Sequence, residues 1–138
     1  MRVVMDTNVL VSSFFGGAPG EVLRLWRDGR ITLCLSQPVI EEYGEVLARL
    51  NVEESAIAEL MGLFARGRHC LFTADTPDLA VVAADPDDDI FIECAVALRA
   101  TRIVTGDKAL LAVGRYFDVV ILNPRQFLES SEIKSLRP

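Results

Sequence analysis

The chain has 138 residues, 51% apolar and 25% charged, which suits one domain with a sizeable core and excludes disorder. No apolar run approaches the roughly 18 residues of a membrane span. Asp6 and Asn8 interrupt any signal-peptide core almost at once, so a cytoplasmic protein is expected. The net charge of −6, from 14 basic and 20 acidic residues, excludes a strongly basic nucleic-acid-binding surface but leaves room for a local track. His69 is the only histidine, so neither a histidine-based triad nor a zinc site with several histidines can be built. Cys34, Cys70 and Cys94 are odd in number, lack metal-type spacing and read as buried thiols.

In chain order, Arg2 to Met5 predicts a short strand, apolar on both faces as in the centre of a parallel sheet. The stretch from Thr7 to Gly20, with Gly16, Gly17, Pro19 and Gly20, predicts a loop leading to a helix over 21–28. A strand follows at 31–35. Ser36 then offers an N-cap and Pro38 a first-turn position for a helix reaching about Leu50. A further helix is expected over 52–64 and a strand over 69–73. Residues 76–85 read as a link with a short extended piece at 79–83. A helix at 88–99, a strand at 102–104, a short helix at 108–113 and a strand at 119–122 complete the core. Helical turns begin after Pro124. Residues 1–130 read as one domain and 131–138 as a frayed tail. Strands alternating with helices predict an α/β fold with a mostly parallel sheet covered on both faces.

Four acids sit where an apolar segment ends or a helix begins: Asp6 in VVMDTNVLV, Glu42 in PVIEEYGEVL, Asp89 in DPDDDIFIECA and Asp107 in RIVTGDKALL. Parallel α/β folds gather the carboxyl ends of their strands beside the ligand-binding crevice. Acids converging there repel one another, and a hard divalent cation, Mg²⁺ or Mn²⁺, is the economical counter-charge. Those four acids supply four of the six net negative charges. A carboxylate-held ion with no all-protein cage points to phosphate chemistry.

Each acid has a plainer alternative. Asp6 after a strand can be a turn-former or helix cap. Asn8, polar amid Val9, Leu10 and Val11, reads as orienting a neighbouring group or water. Glu42 borders the stripe of Val39, Ile40, Tyr43, Val46 and Leu47, whereas Glu41 and Glu45 face solvent. The run Asp85 to Asp89 also suits the positive end of a helix dipole. The helix after it is apolar nearly all round and so buried, with Asp89 and Glu93 sharing an inward stripe. Asp107 can cap the next helix, with Thr105 offering a hydroxyl beside it.

Taken together, MRVVMDTNVLVSSFFGG, LSQPVIEEYGEVL, DPDDDIFIECA and TRIVTGDKALL resemble the PIN-domain ribonucleases, particularly the VapC-type toxins of bacterial toxin–antitoxin pairs. The resemblance implies a three-layer sandwich. It implies Asp6, Glu42, Asp89 and Asp107 as catalytic and metal-binding residues, with Asp89 selected by the acid-before-helix pattern. Asn8, Thr105, Asp87 and Glu93 become supporting residues, and Asp87, Asp88 and Glu93 stand as substitute ligands. It further implies Mg²⁺- or Mn²⁺-dependent endoribonuclease activity on single-stranded or looped RNA, leaving 5′-phosphate and 3′-hydroxyl ends. Its expected partners are a cognate antitoxin and a second copy of the chain. Arg24, Arg27, Arg66, Arg68, Arg102 and Lys108 are candidates to line the RNA approach. Two other classes stand beside this one. An aspartyl-phosphate phosphohydrolase would use Asp6 as nucleophile, although Asn8 stands where such enzymes carry a second Asp. A catalytically silent binding module would use the acids only as caps.

Overall fold

The computed structural model describes residues 1–136. Its elements are β1 (Arg2–Met5), α1 (Thr7–Ser13), α2 (Gly17–Arg27), β2 (Thr32–Ser36), α3 (Gln37–Arg49), α4 (Glu54–Ala65) and β3 (Cys70–Thr73). A 3₁₀ turn (Pro86–Asp88) leads into α5 (Asp89–Leu98), followed by β4 (Arg102–Val104), α6 (Lys108–Val113), β5 (Arg115–Tyr116), β6 (Val119–Leu122), α7 (Pro124–Glu129) and α8 (Ser131–Lys134). The six strands form one sheet in the order β3-β2-β1-β4-β6-β5, parallel except for the β5–β6 pair. Helices flank it, giving the α/β architecture that the alternation of elements predicts.

The chain builds the sheet outward in one direction from β1 to β2 and β3, then returns to place β4 on the other side of β1. Between β1 and β4 the flanking connections therefore diverge, opening a crevice at the carboxyl ends of those strands. Val3, Val4 and Met5 of β1 and Ile103 and Val104 of β4 are fully buried, which holds this split at the centre of the core. α5 crosses the sheet in contact with β1, β2, β3, β4 and β6. Trp26, Tyr43 and Phe64 join α2, α3 and α4 through tilted ring contacts, and the Trp26 indole N–H donates to the Arg68 carbonyl at 3.1 Å. Among the described residues no helix is long and apolar enough to cross a membrane.

Four segments depart from the sequence expectation. The loop expected over 7–20 contains the helix α1, because Val9, Leu10 and Ser13 bury one face and the irregular piece shrinks to three residues. Gly16 makes that sharp turn possible, with φ 87° and ψ −151°, a conformation essentially closed to other residues. β5, only two residues long, carries too little pattern to be predicted. The expected frayed tail from residue 131 begins instead as α8, whose Ile133 is fully buried; residues 137 and 138 of that tail lie outside the described residues. The short extended piece expected at 79–83 is irregular backbone rather than a strand.

A docked tail contributes to the core. Ile133→Ala should lower unfolding stability by about 2–5 kcal/mol, the usual range for emptying a buried aliphatic site. Chemical denaturation measures it, and an unchanged midpoint would mean that α8 is not part of the folded unit.

Candidate active site

The parallel register Met5↔Val104 sets the residues just beyond β1 and β4 side by side. The Asp6 N–H donates to the Val104 carbonyl at 2.9 Å, carrying the ladder one step past the strand. Asp6 is 3% exposed and occupies the N-cap position of α1, yet its side chain makes no capping bond there. Instead Asp6 Oδ2 accepts from the hydroxyl of buried Thr105 at 2.6 Å. Thr105 Oγ1 in turn accepts from the Asp107 N–H at 2.9 Å, so one hydroxyl ties the two acids together. Asp107 is also a helix cap, accepting from the Ala109 N–H at 3.3 Å with its Oδ1. Here the plainer reading and the functional one describe the same side chain.

α3 delivers Glu42 to this edge. Ser36 caps the helix as its sequence suggests, accepting from the Val39 N–H at 3.3 Å. One residue beyond Glu42, fully buried Tyr43 donates its hydroxyl to the Met5 carbonyl, pinning α3 to the end of β1 beside Asp6. Glu42 is half-buried and accepts from the Thr7 hydroxyl through Oε2, while Glu41 and Glu45 lie exposed.

The run from Asp85 to Asp89 divides its labour. Asp85 caps the 3₁₀ turn, accepting from the Asp87 N–H at 3.2 Å, and Asp87 itself is exposed. Asp85, Asp88 and Asp107 each offer a carboxylate oxygen, all within 4.8 Å of one another. Asp89, expected at this centre, is placed elsewhere: its Oδ1 accepts from the N–H groups of Val81 and Val82 at 3.0 and 2.8 Å. Glu93, one turn on, accepts from the Leu79 N–H at 2.8 Å. The inward stripe of Asp89 and Glu93 is therefore a strap for the irregular 79–82 segment. One residue of offset decides this, because a step along a helix swings the side chain by about 100°. Asp88 ends the turn facing Asp107, and Asp89 faces the strap.

The electrostatics identify a shared centre. Burial pushes the Asp6 carboxyl up from 3.8 to about 6; the Thr105 hydrogen bond opposes this, and the charges of Asp107 and Glu42 add to it. Asp88 is pushed up to about 8, first by burial, then by its hydrogen bond to Asp107 and the charges of Asp107, Asp85 and Asp6. Asp88 Oδ2 is sealed from solvent with no hydrogen-bond partner among the described residues. Neither ion pair found among those residues, Arg27–Glu59 or Arg102–Glu132, involves the acid cluster. A buried carboxylate oxygen with no donor is costly unless a proton or a cation meets it. Oxygens bonded to one hard cation lie at most about 4–5 Å apart, so Asp85, Asp88 and Asp107 fit such an ion.

Residues 2–109 match the sequence pattern of a known family, the PIN domain. The chain belongs to the PIN-domain family. Members of this family are generally nucleases that use a divalent metal, which agrees with an all-oxygen acidic centre. No curated protein matches the chain.

The basic residues of this PIN domain mostly lie away from the centre. Arg24 and Arg27 end α2, Arg66 and Arg68 precede β3, and Arg102 opens β4, so all five sit toward the amino-terminal edge of the sheet. Arg27 and Arg102 are also engaged with Glu59 and Glu132. Lys108, next to Asp107, remains at the carboxyl edge. Arg125, which follows β6 at that same edge, went unnoticed in the sequence because nothing in NPRQF marks where its strand points.

The raised carboxyls fix a pH dependence. Asp88 titrates near 3.8 when unfolded and near 8 when folded, so the metal-free fold loses stability as pH rises through that window. In chelator, Asp88→Asn should therefore melt above wild type at pH 8, with the advantage gone near pH 4. Thermal melts across pH check this, and a variant destabilised equally at both ends would contradict it.

Proposed function

We propose that the chain is a metal-dependent endoribonuclease that hydrolyses phosphodiester bonds of single-stranded or looped RNA. The observation that carries this reading is a set of carboxylates at the β1–β4 split that no ion pair among the described residues balances. In the proposed centre Asp85, Asp88 and Asp107, with Asp6 beside them, hold Mg²⁺ or Mn²⁺, and Glu42 flanks it. When bound, the ion supplies Lewis-acid stabilisation of the phosphoryl oxygens and lowers the pKa of an attacking water.

The protein's own groups fix the geometry. Thr105 holds Asp6 in one orientation and couples it to the Asp107 turn. Glu42, anchored through Oε2 by Thr7, keeps Oε1 available to accept a proton from the attacking water. Asp89 and Glu93 hold the 79–82 strap and so position the turn that carries Asp85 and Asp88. In-line attack leaves 5′-phosphate and 3′-hydroxyl ends. The aspartyl-phosphate alternative gains no support, since Asp6 is deeply buried and Asn8 occupies the position of the second acid it needs.

The proposal extends to a cytoplasmic toxin of a toxin–antitoxin pair, held by a cognate antitoxin and acting as a homodimer. The VapC-type resemblance supports this, and exposed Leu50 and Phe72 supply apolar surface for an interface.

With Mn²⁺ and a single-stranded RNA oligonucleotide, Asp6→Asn and Asp88→Asn should each lower kcat by about 100-fold or more, and chelator should stop the wild type. Asp89→Asn retains an acceptor oxygen for the strap and should stay within about threefold of wild type. Gel-based cleavage rates of the purified variants decide the matter. Loss at Asp89 with retention at Asp88 would reverse the placement of the metal ligand.

A further inference from the structure

Beside the acid centre lies a cleft of about 370 Å³ whose lining the proposed chemistry leaves unused. It opens between α1, α2 and the start of α7, with Gly106 on its floor between Thr105 and Asp107. That volume is within the range of sites that enclose small ligands, about 300–1,000 Å³. We propose that this cleft binds the nucleoside flanking the scissile phosphate, with Arg125 meeting the next phosphate along the strand. The inference rests on the nuclease reading of the adjacent acids and names where their substrate lies.

Position comes first. Val104↔Leu122 pairing sets the residues after β4 and β6 side by side, and the Thr105 N–H donates to the Leu122 carbonyl at 2.9 Å. Asn123 and Pro124 therefore follow β6 immediately beside the turn that carries Asp107. A strand whose phosphate lies on the acids can pass directly over Gly106, where even an added Cβ would meet nothing within 4 Å.

The chemistry of the walls suits a base. Pro19 and Pro124 offer apolar faces on α2 and α7. Asn8 is exposed at the cleft, and its amide makes no hydrogen bond among the described residues, so it can read a base edge. Asn123 has Oδ1 occupied by the Gln126 N–H at 2.8 Å, which leaves its amide N–H groups as donors.

Charge then sets the length of strand accommodated. Arg125 is exposed, lines the cleft and makes neither a hydrogen bond nor an ion pair among the described residues. A guanidinium so placed is suited to forked contact with a phosphate. It also lines the next hollow, of about 300 Å³, where Glu129 adds negative charge. An anionic strand is thus drawn to Arg125 and turned away beyond it. One nucleoside, with a phosphate at each end, spans from the acids to this arginine.

The four ribonucleoside 3′,5′-bisphosphates reproduce that occupant and serve as probes. Titrated with Mg²⁺ into ¹⁵N-labelled protein, at least one should shift the amide signals of Ser12, Ala18 and Arg125 to saturation. Arg125→Ala should weaken that binding about tenfold, and Ser12→Trp, which fills the cleft from exposed α1, should abolish the shifts. In RNA cleavage both variants should raise KM about fivefold or more with kcat within about twofold, because neither touches the acids. Bisphosphate binding in the cleft without RNA cleavage by the wild type would uphold the nucleotide site and sink the nuclease reading. Metal-dependent cleavage with unchanged KM in both variants, and no shifts at the three amides, would overturn the cleft proposal and leave the nuclease reading standing.

Discussion

Mutual repulsion among carboxylates at the β1–β4 split is the constraint around which this molecule is arranged. Asp6, Glu42, Asp88 and Asp107 come from four parts of the chain, and hydrogen bonds hold them against that repulsion. Thr105 bridges Asp6 and Asp107, Thr7 holds Glu42, and Tyr43 pins α3 to the end of β1. Asp89 and Glu93, though acidic, face backbone amides and stabilise the strap that supports Asp88. The residual imbalance is concentrated at Asp88, whose sealed oxygen has no donor among the described residues. Functional sites commonly retain such local strain, because the ligand removes it.

Under the proposed nuclease function, the same imbalance reconciles an acidic chain with an anionic substrate. Much of the −6 net charge is concentrated where a divalent ion would offset it. Several arginines lie at the opposite edge of the sheet, two of them paired with glutamates. On that proposal, substrate attraction would depend on the ion and on a few local cations, Lys108 and Arg125, rather than on a broad basic face. Binding of that kind would neutralise few phosphates, and its affinity would fall only gently with salt.

Much of this was legible in the sequence. Buried strands such as Val3 to Met5 announce themselves by continuous apolar character, and the alternation of strands with helices predicts the sheet. Glu42 was separable from Glu41 and Glu45 by helical periodicity alone, and Ser36 by its position before Pro38. What the sequence hid has physical causes. In Asp87-Asp88-Asp89 three chemically identical side chains differ only in angular position, which the unmarked transition from 3₁₀ turn to α-helix decides. α1 was obscured by the glycines that follow it, and Ile133 by the polar residues around it. The cleft at Asn8 and Arg125 joins segments more than a hundred residues apart, which the β1–β4 and β4–β6 registers bring together.

The central claim, that the β1–β4 split is a metal site built on Asp88 rather than Asp89, is tested most directly by anomalous diffraction from crystals soaked in Mn²⁺. The account predicts one or more anomalous peaks within bonding distance of the Asp6, Asp88 and Asp107 carboxylates, with Asp89 still accepting from the Val81 and Val82 amides. An ion ligated by Asp89 in place of Asp88, or no peak among these acids at millimolar Mn²⁺, would contradict it.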